Sequence, residues 1–360
     1  AREVLRNYSG HVYVLTADTP LLRAETLIAL HQRAVDTGAD AVALTARFDD
    51  PTGYGRILRD EKGVFQAIVE HRDASPDQKA VREINASIYC FSAPRLLEAL
   101  DRLTNDNAQG EYYLTDTLSI IKDAGGCIET LCLRDPEEIM GVNDRVQLAA
   151  AAKAMRRRIN ESHMREGVTI IDPANTYIDA GVTIGQDTVI YPGNCLEGAT
   201  SIGAGCVLYP GSRIVDATIG DRVSIQSSVI VESSVGEGTA IGPAAHLRPG
   251  SRIGKNVRIG NFVETKKAEI GEGTKVSHLT YVGDAVIGEH TNIGCGVVFV
   301  NYDGEKKHVT EVGSHSFIGC NVNLVAPVTV ADNTYVAAGS TITDKVEEGD
   351  LAIARARQVN

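Results

Sequence analysis

The sequence has no apolar run of the roughly 18 residues that a membrane-spanning helix needs, and its opening AREVLRNYSGHVYVL lacks the basic, then apolar, then small layout of a secretion signal. No membrane insertion is expected, and a cytoplasmic location is. A basic excess is missing too. The formal net charge of -12 and pI near 5.3 exclude non-specific nucleic-acid binding as the main task, because that work needs a basic footprint. An anionic ligand would need a local basic cluster. Also absent is any CxxC pair: the seven cysteines (Cys90, Cys127, Cys132, Cys195, Cys206, Cys295, Cys320) are odd in number and scattered. They read as small hydrophobes in a reducing compartment, not as a disulfide or zinc framework.

What is present divides into two parts, as a chain of 360 residues allows. In residues 1–144 strand-like and helix-like stretches alternate. VYVLTAD (12–18) reads as a buried parallel strand ending in an acid, AVALTARF (41–48), INASIYCF (84–91) and IETLCL (128–133) as further strands, and 23–37, 93–103 and 111–125 as helices. This predicts an α/β fold with a mostly parallel sheet. Residues 145–168, rich in Ala and Arg, predict a long linking helix.

From 169 to 360 the pattern changes. Ile178, Ile184, Ile190, Leu196, Ile202, Leu208 and Ile214 recur every six positions; after one slip come Ile219, Ile225 and Val231, and after another Val235, Ile241, Leu247, Ile253 and Ile259. A last register runs Val312, Ile318, Leu324, Val330, Val336, Ile342. A six-residue period is neither helical nor that of a lone strand, and it marks a parallel β-helix in which each short strand adds one inward aliphatic. Gly, Asn and Asp at the corners supply left-handed backbone. Residues 301–311 (NYDGEKKHVTE) break the period and are expected to loop out on the binding face.

Arg248, Lys266, Lys267, His278, Tyr281 and Lys307 gather within a few coils of this acidic chain. Stacking at about 18 residues per coil sets Arg248 over Lys266, and two cations so placed repel unless an anion lies between them. The alternative is a solvated pair neutralised by Glu264 or Glu269.

The motifs decide between these. HLRPGS (246–251), GNFVETKKA (260–268), KVSHLTYVGDA (275–285), NIGCG (292–296) and NYDGEKK (301–307) closely resemble the acetyltransferase domain of the bifunctional bacterial N-acetylglucosamine-1-phosphate uridyltransferase and glucosamine-1-phosphate acetyltransferase family. DDPTGYGRI (49–57), IVEHRDAS (68–75), EINASIY (83–89), NDNAQGEYYLTD (105–116) and GVNDR (141–145) resemble its uridyltransferase domain. The resemblance implies a truncated Rossmann-like nucleotidyltransferase domain followed by a left-handed parallel β-helix of hexapeptide repeats. It implies transfer of acetyl from acetyl-CoA to glucosamine 1-phosphate, and in the family uridylyl transfer from UTP, giving UDP-N-acetylglucosamine for peptidoglycan and lipopolysaccharide precursors.

By residue, the resemblance makes His278 the base, as suits an imidazole that titrates near neutrality. It gives Arg248, Lys266 and Lys307 the sugar phosphate, Tyr281 and Asn292 the sugar, and Glu264 the orientation of the base. Acetyl-CoA falls to Cys295, Asn301, Tyr302, Cys320, Ala338 and Arg355; Cys295 and Cys320 stand where the family usually has small residues such as Ala and Ser. In the front domain, Gly55, Glu70, Asn85 and Asn143 are expected to meet the sugar nucleotide, and Asp18 and Asn143 a magnesium ion. The alternative for Asp18 is a helix N-cap. Ala1 aligns after the family's glycine-rich nucleotide loop, so impaired uridylyl transfer is expected; Asn360 lies short of the family's tail, and weaker CoA binding is expected from that. A homotrimer is implied as well.

Two other classes compete. A β-helical zinc enzyme would need three histidines among His246, His278, His290, His308 and His315, yet no three share a stacking register. A non-catalytic assembly module would not require the basic cluster.

Overall fold

A computed structural model describes residues 2–106 and 110–359 of the chain, so residues 107–109 of the NDNAQGEYYLTD motif lie outside the described residues. Two compact units are present, Ala1–Ala154 and Met155–Asn360. No helix among the described residues is long and apolar enough to cross a membrane.

The first unit runs α1 (Arg2–Leu5), β1 (His11–Val14), α2 (Ala24–Thr37), β2 (Ala41–Arg47), β3 (Arg56–Arg59), β4 (Phe65–Val69), α3 (Pro76–Lys79), β5 (Glu83–Ser92), α4 (Ala93–Leu100), α5 (Asp116–Asp123) and β6 (Ile128–Cys132), and then enters α6 (Arg145–Arg165). Its sheet has the order β4-β3-β5-β2-β6, with β1 also on β5. The expectation of a mostly parallel sheet is corrected: only β2 and β6 pair parallel, while β1, β2 and β3 all pair antiparallel with β5. Apolar runs report burial, not strand direction, and β2 is apolar because it is covered on both faces. The strand read at 12–18 shortens to His11–Val14 and is only half-buried, because it pairs on one side alone. The hairpin of β3 and β4 was not foreseen, and the helix read at 111–125 narrows to α5.

The second unit is the left-handed parallel β-helix, built as an 11-stranded and a 17-stranded sheet whose strands, among the described residues, all pair parallel. The six-residue aliphatics face inward: all of Val312, Ile318, Leu324, Val330, Val336 and Ile342 are buried. One register assignment is corrected. Ile230, not Val231, is the buried residue after Ile225, because the coil there loses one residue between strands. Buried corner hydroxyls bond the carbonyls that the turns leave free, as Thr274 Oγ1 does to Gly288 O at 2.7 Å and Thr291 Oγ1 to Gly313 O at 2.7 Å.

Candidate active site on one corner of the β-helix

Each coil turns sharply where Ala244, Phe262, Leu279, Gly296, Asn321 and Gly339 adopt positive φ. The residue before each turn stands on an outer edge, and these edge residues form a column. Asn261 pairs with His278. Val276 lies opposite Ile293 and Tyr281 opposite Val298, seventeen positions on in both cases, so His278 lies opposite Cys295. In the same way the pairs Ile293–Ile318 and Val298–Asn323 set Cys295 opposite Cys320, and Ile318–Val336 with Asn323–Thr341 sets Cys320 opposite Ala338. Coils come this close because Gly294 has no side chain: a Cβ there would lie 2.6 Å from the Cys320 nitrogen.

His278 is exposed, and its Nδ1 is 2.8 Å from Asn261 Oδ1. An amide oxygen only accepts, so this bond holds the proton on Nδ1 and leaves the Nε2 lone pair outward. Thr280 anchors the corner, donating to His278 O at 2.7 Å. The expected orienting residue, Glu264, is engaged elsewhere: its Oε1 takes Arg248 Nη1 at 2.8 Å. Asn261 was missed in the sequence, although it lies one coil before His278 and the coil period could have found it.

At the next corner of these coils, where Gly250, Lys267 and Asp284 adopt positive φ, stand the cations. His246 and Leu247 pair with Glu264 and Thr265, which continues to Arg248 beside Lys266. Lys307 comes up against the Lys266 ammonium from the 301–309 loop. That neighbour, together with desolvation and Arg248, lowers the Lys266 pKa, while Asp284 acts the other way. Glu264 neutralises Arg248, the alternative that the sequence raised, while Lys266 and Lys307 still repel one another unless they share an anion. Gly283, the partner of Lys266 in the next coil, leaves room for the Tyr281 ring; a Cβ there would collide with the Tyr281 hydroxyl and lie 2.7 Å from Asn301 Nδ2.

The loop closes on itself. Tyr302 bridges to Lys307 and donates to Gly304 O at 2.6 Å. Asp303 accepts from the Glu305 and Lys306 amides at 2.8 Å and from His308 Nε2 at 2.6 Å, and these bonds hold its carboxyl well below the usual range. Asn301 is buried, its Nδ2 donating to Asp284 Oδ2 at 2.5 Å and to the Tyr281 hydroxyl at 3.4 Å. Arg355 lies one coil beyond Ala338, against Gly339. Asn292 pairs with Lys275 and Phe317 on the sheet face whose strand ends at His278, and among the described residues no hydrogen bond joins it to His278 or Tyr281.

In the first unit the named residues fall into two groups. Asp18 Oδ2 and Asn143 Nδ2 converge on the open side of Gly141, at 3.4 and 3.8 Å from where a Cβ would be. Asp18 is in a turn and is not the cap of α2, whose N-cap is Arg23. Gly55 O accepts from Asn85 N at 2.9 Å, and Gly55 faces the Glu70 carboxylate. Burial raises the Glu70 pKa, Thr115 opposes through its hydroxyl, and Asp73 and Asp116 add to the rise. Asn85 is buried, its side chain tied to Tyr89 and Ser87. His290 and His315 stack at 5.4 Å, but among the described residues no group of three His, Cys, Asp or Glu is placed to hold a metal ion.

A family model described as bacterial transferase hexapeptide (six repeats) matches residues 232–267 and 310–344. Relatives named bifunctional protein GlmU match along the chain: 54% identity over 360 residues in Clostridium beijerinckii, covering 100% of this chain and 79% of that protein. The Caldanaerobacter subterraneus relative is 57% identical over 351 residues, covering 98% and 77%. Among solved structures, the UDP-N-acetylglucosamine acyltransferase of Francisella novicida has a TM-score of 0.38 at 16% identity, over 52% of this chain and 67% of that one.

Proposed function

The chain belongs to the bifunctional GlmU family, and from that premise we propose that its acetyl transfer runs at the His278 corner. The enzyme is a transferase that moves acetyl from acetyl-CoA to the amine of glucosamine 1-phosphate; the family's second activity converts the product to UDP-N-acetylglucosamine. The observation that carries the assignment of the site is the bond of His278 Nδ1 to Asn261, one corner away from three clustered cations.

An amine attacks a thioester only when neutral, so a base must take its proton. His278 Nε2 receives that proton as the nitrogen bonds to the thioester carbon, and returns it to the departing CoA sulfur. Arg248, Lys266 and Lys307 hold the sugar phosphate, the guanidinium by its planar fork and the ammonium groups as point charges. Tyr281, held by Asn301, and Asn292 orient the sugar. The donor lies along Cys295, Cys320 and Ala338, with Tyr302 and Arg355 toward the rest of CoA. Glu264 keeps the Arg248 fork in place, and through Arg248 acts on the phosphate.

For the front unit we assign Gly55, Glu70 and Asn85 to the sugar nucleotide. Asp18 and Asn143 flank a gap without a Cβ, Asp18 with a carboxylate oxygen and Asn143 with an amide whose carbonyl oxygen is its ligating atom; these two residues would hold a sparsely ligated magnesium ion, which would neutralise phosphate charge. A homotrimer is the assembly we expect, checked by light scattering against the chain mass of 38.4 kDa. The deciding test of function is mass spectrometry of the product formed from acetyl-CoA and glucosamine 1-phosphate. Appearance of the N-acetylated sugar phosphate, lost in His278→Ala, supports the assignment. An undiminished rate in that variant overturns it.

A further inference from the structure

Two thiols at the same corner have no role in the proton transfer. Cys295 is half-buried and Cys320 exposed, and both are free. They hold equivalent turn positions on neighbouring coils: Gly294 N donates to Ile318 O at 2.8 Å just before the turn, and Asn321 N donates to Cys295 O at 2.8 Å within it. Opposed residues on neighbouring strands lie about 4.8 Å apart. A disulfide spans Cα separations of about 4.4–6.8 Å, so the coil spacing meets that requirement. No other cysteines are so placed. Cys90 and Cys206 are buried, Cys127 and Cys132 stand at opposite ends of β6, and Cys195 is flanked by Tyr177 and Arg213.

We propose that Cys295 and Cys320 form a reversible dithiol–disulfide pair, and that its oxidation shuts the acetyl-donor groove beside His278. The bond draws two adjacent edge side chains together and staples neighbouring coils across the surface on which the thioester lies. The effect on acetyl transfer rests on the reading of that corner given above; formation of the bond does not.

The oxidant is a low-molecular-weight disulfide such as glutathione disulfide. The Cys320 thiolate, the more accessible, attacks one sulfur and releases one glutathione thiolate. Cys295, after losing its proton, attacks Sγ of Cys320 and expels the second. One S–S bond forms and one breaks; two protons and two electrons pass from the protein thiols to the two glutathiones.

The test uses the whole chain equilibrated with graded ratios of oxidised to reduced glutathione, then alkylated and digested without reduction. The expected product is a linked peptide pair containing Cys295 and Cys320, lighter by two hydrogens than the separate peptides. In parallel, acetyl transfer should fall about tenfold or more, chiefly through a higher KM for acetyl-CoA, and return with dithiothreitol. Measured against its own untreated rate, Cys320→Ser or Cys295→Ser should lose the response, while Cys127→Ser keeps it. Full alkylation of both thiols under oxidising ratios overturns the pair. A linked protein with an unchanged rate overturns the control of donor binding. If the reduced chain never acetylates, the reading of the corner fails, and the linked peptide still decides the pair.

Discussion

At His278 the neutral ring has two tautomers, and only the one with the proton on Nδ1 presents a basic Nε2. Asn261 Oδ1, 2.8 Å away, selects it. Replacing Asn261 by Ala should lower kcat for acetyl transfer about tenfold with little change in KM, whereas His278→Ala should cost about 10²–10⁴-fold. Steady-state kinetics on both variants separate positioning from proton transfer, and equal losses would contradict the distinction. The cations make a second prediction. Lys266 titrates below the usual lysine range because Lys307 faces it. A bound phosphate favours the charged form, so affinity for glucosamine 1-phosphate should fall as pH rises through that lowered pKa. In Lys307→Met the fall should move to higher pH, as seen in KM against pH. Arg248→Ala should weaken glucosamine 1-phosphate far more than free glucosamine, since its contact is with phosphate; equal losses would mark a folding role.

Glu70 predicts stability as well as binding. Burial raises its folded pKa above the unfolded value, so the folded state binds more protons across the interval between them. Stability contributed by this group is therefore present below the unfolded pKa and lost as pH rises through the folded one. Glu70→Gln removes the penalty, and thermal unfolding of the front unit should move upward at neutral pH and stay unchanged in acid.

Among the elements, the short strands of the site are positioned by what glycine omits. A Cβ on Gly260 would collide with the Ser277 carbonyl, the backbone just before His278. Gly260→Ala must push that strand outward, and both acetyl transfer and the unfolding midpoint should fall. Misplacement of a base by about 1 Å costs on the order of 10²-fold, which is the loss kinetics should show. The hairpin of β3 and β4 shows the opposite case for legibility. Its strands are four and five residues long and carry Arg56, Arg59 and Gln66 among their apolar residues, so no clean alternation announces them.

For the molecule as a whole, the β-helix is a one-dimensional stack in which each coil touches only its neighbours. Ile225 is fully buried well before the site, so Ile225→Ala should cost about 2–5 kcal/mol in denaturant unfolding while leaving kcat at low temperature unaltered. The chain alone determined this stack. One inward aliphatic every six residues suits no other backbone path, and the motifs between 246 and 307 pointed to the family and to a base with its cations. Strand direction in the front sheet, the partner of His278, the engagement of Glu264 with Arg248 and the opposition of Cys295 to Cys320 were decided only by tertiary structure. Burial patterns are blind to direction. Coils of sixteen to eighteen residues, interrupted by the 301–309 loop, let the register drift, so which side chains meet depends on offsets that accumulate coil by coil.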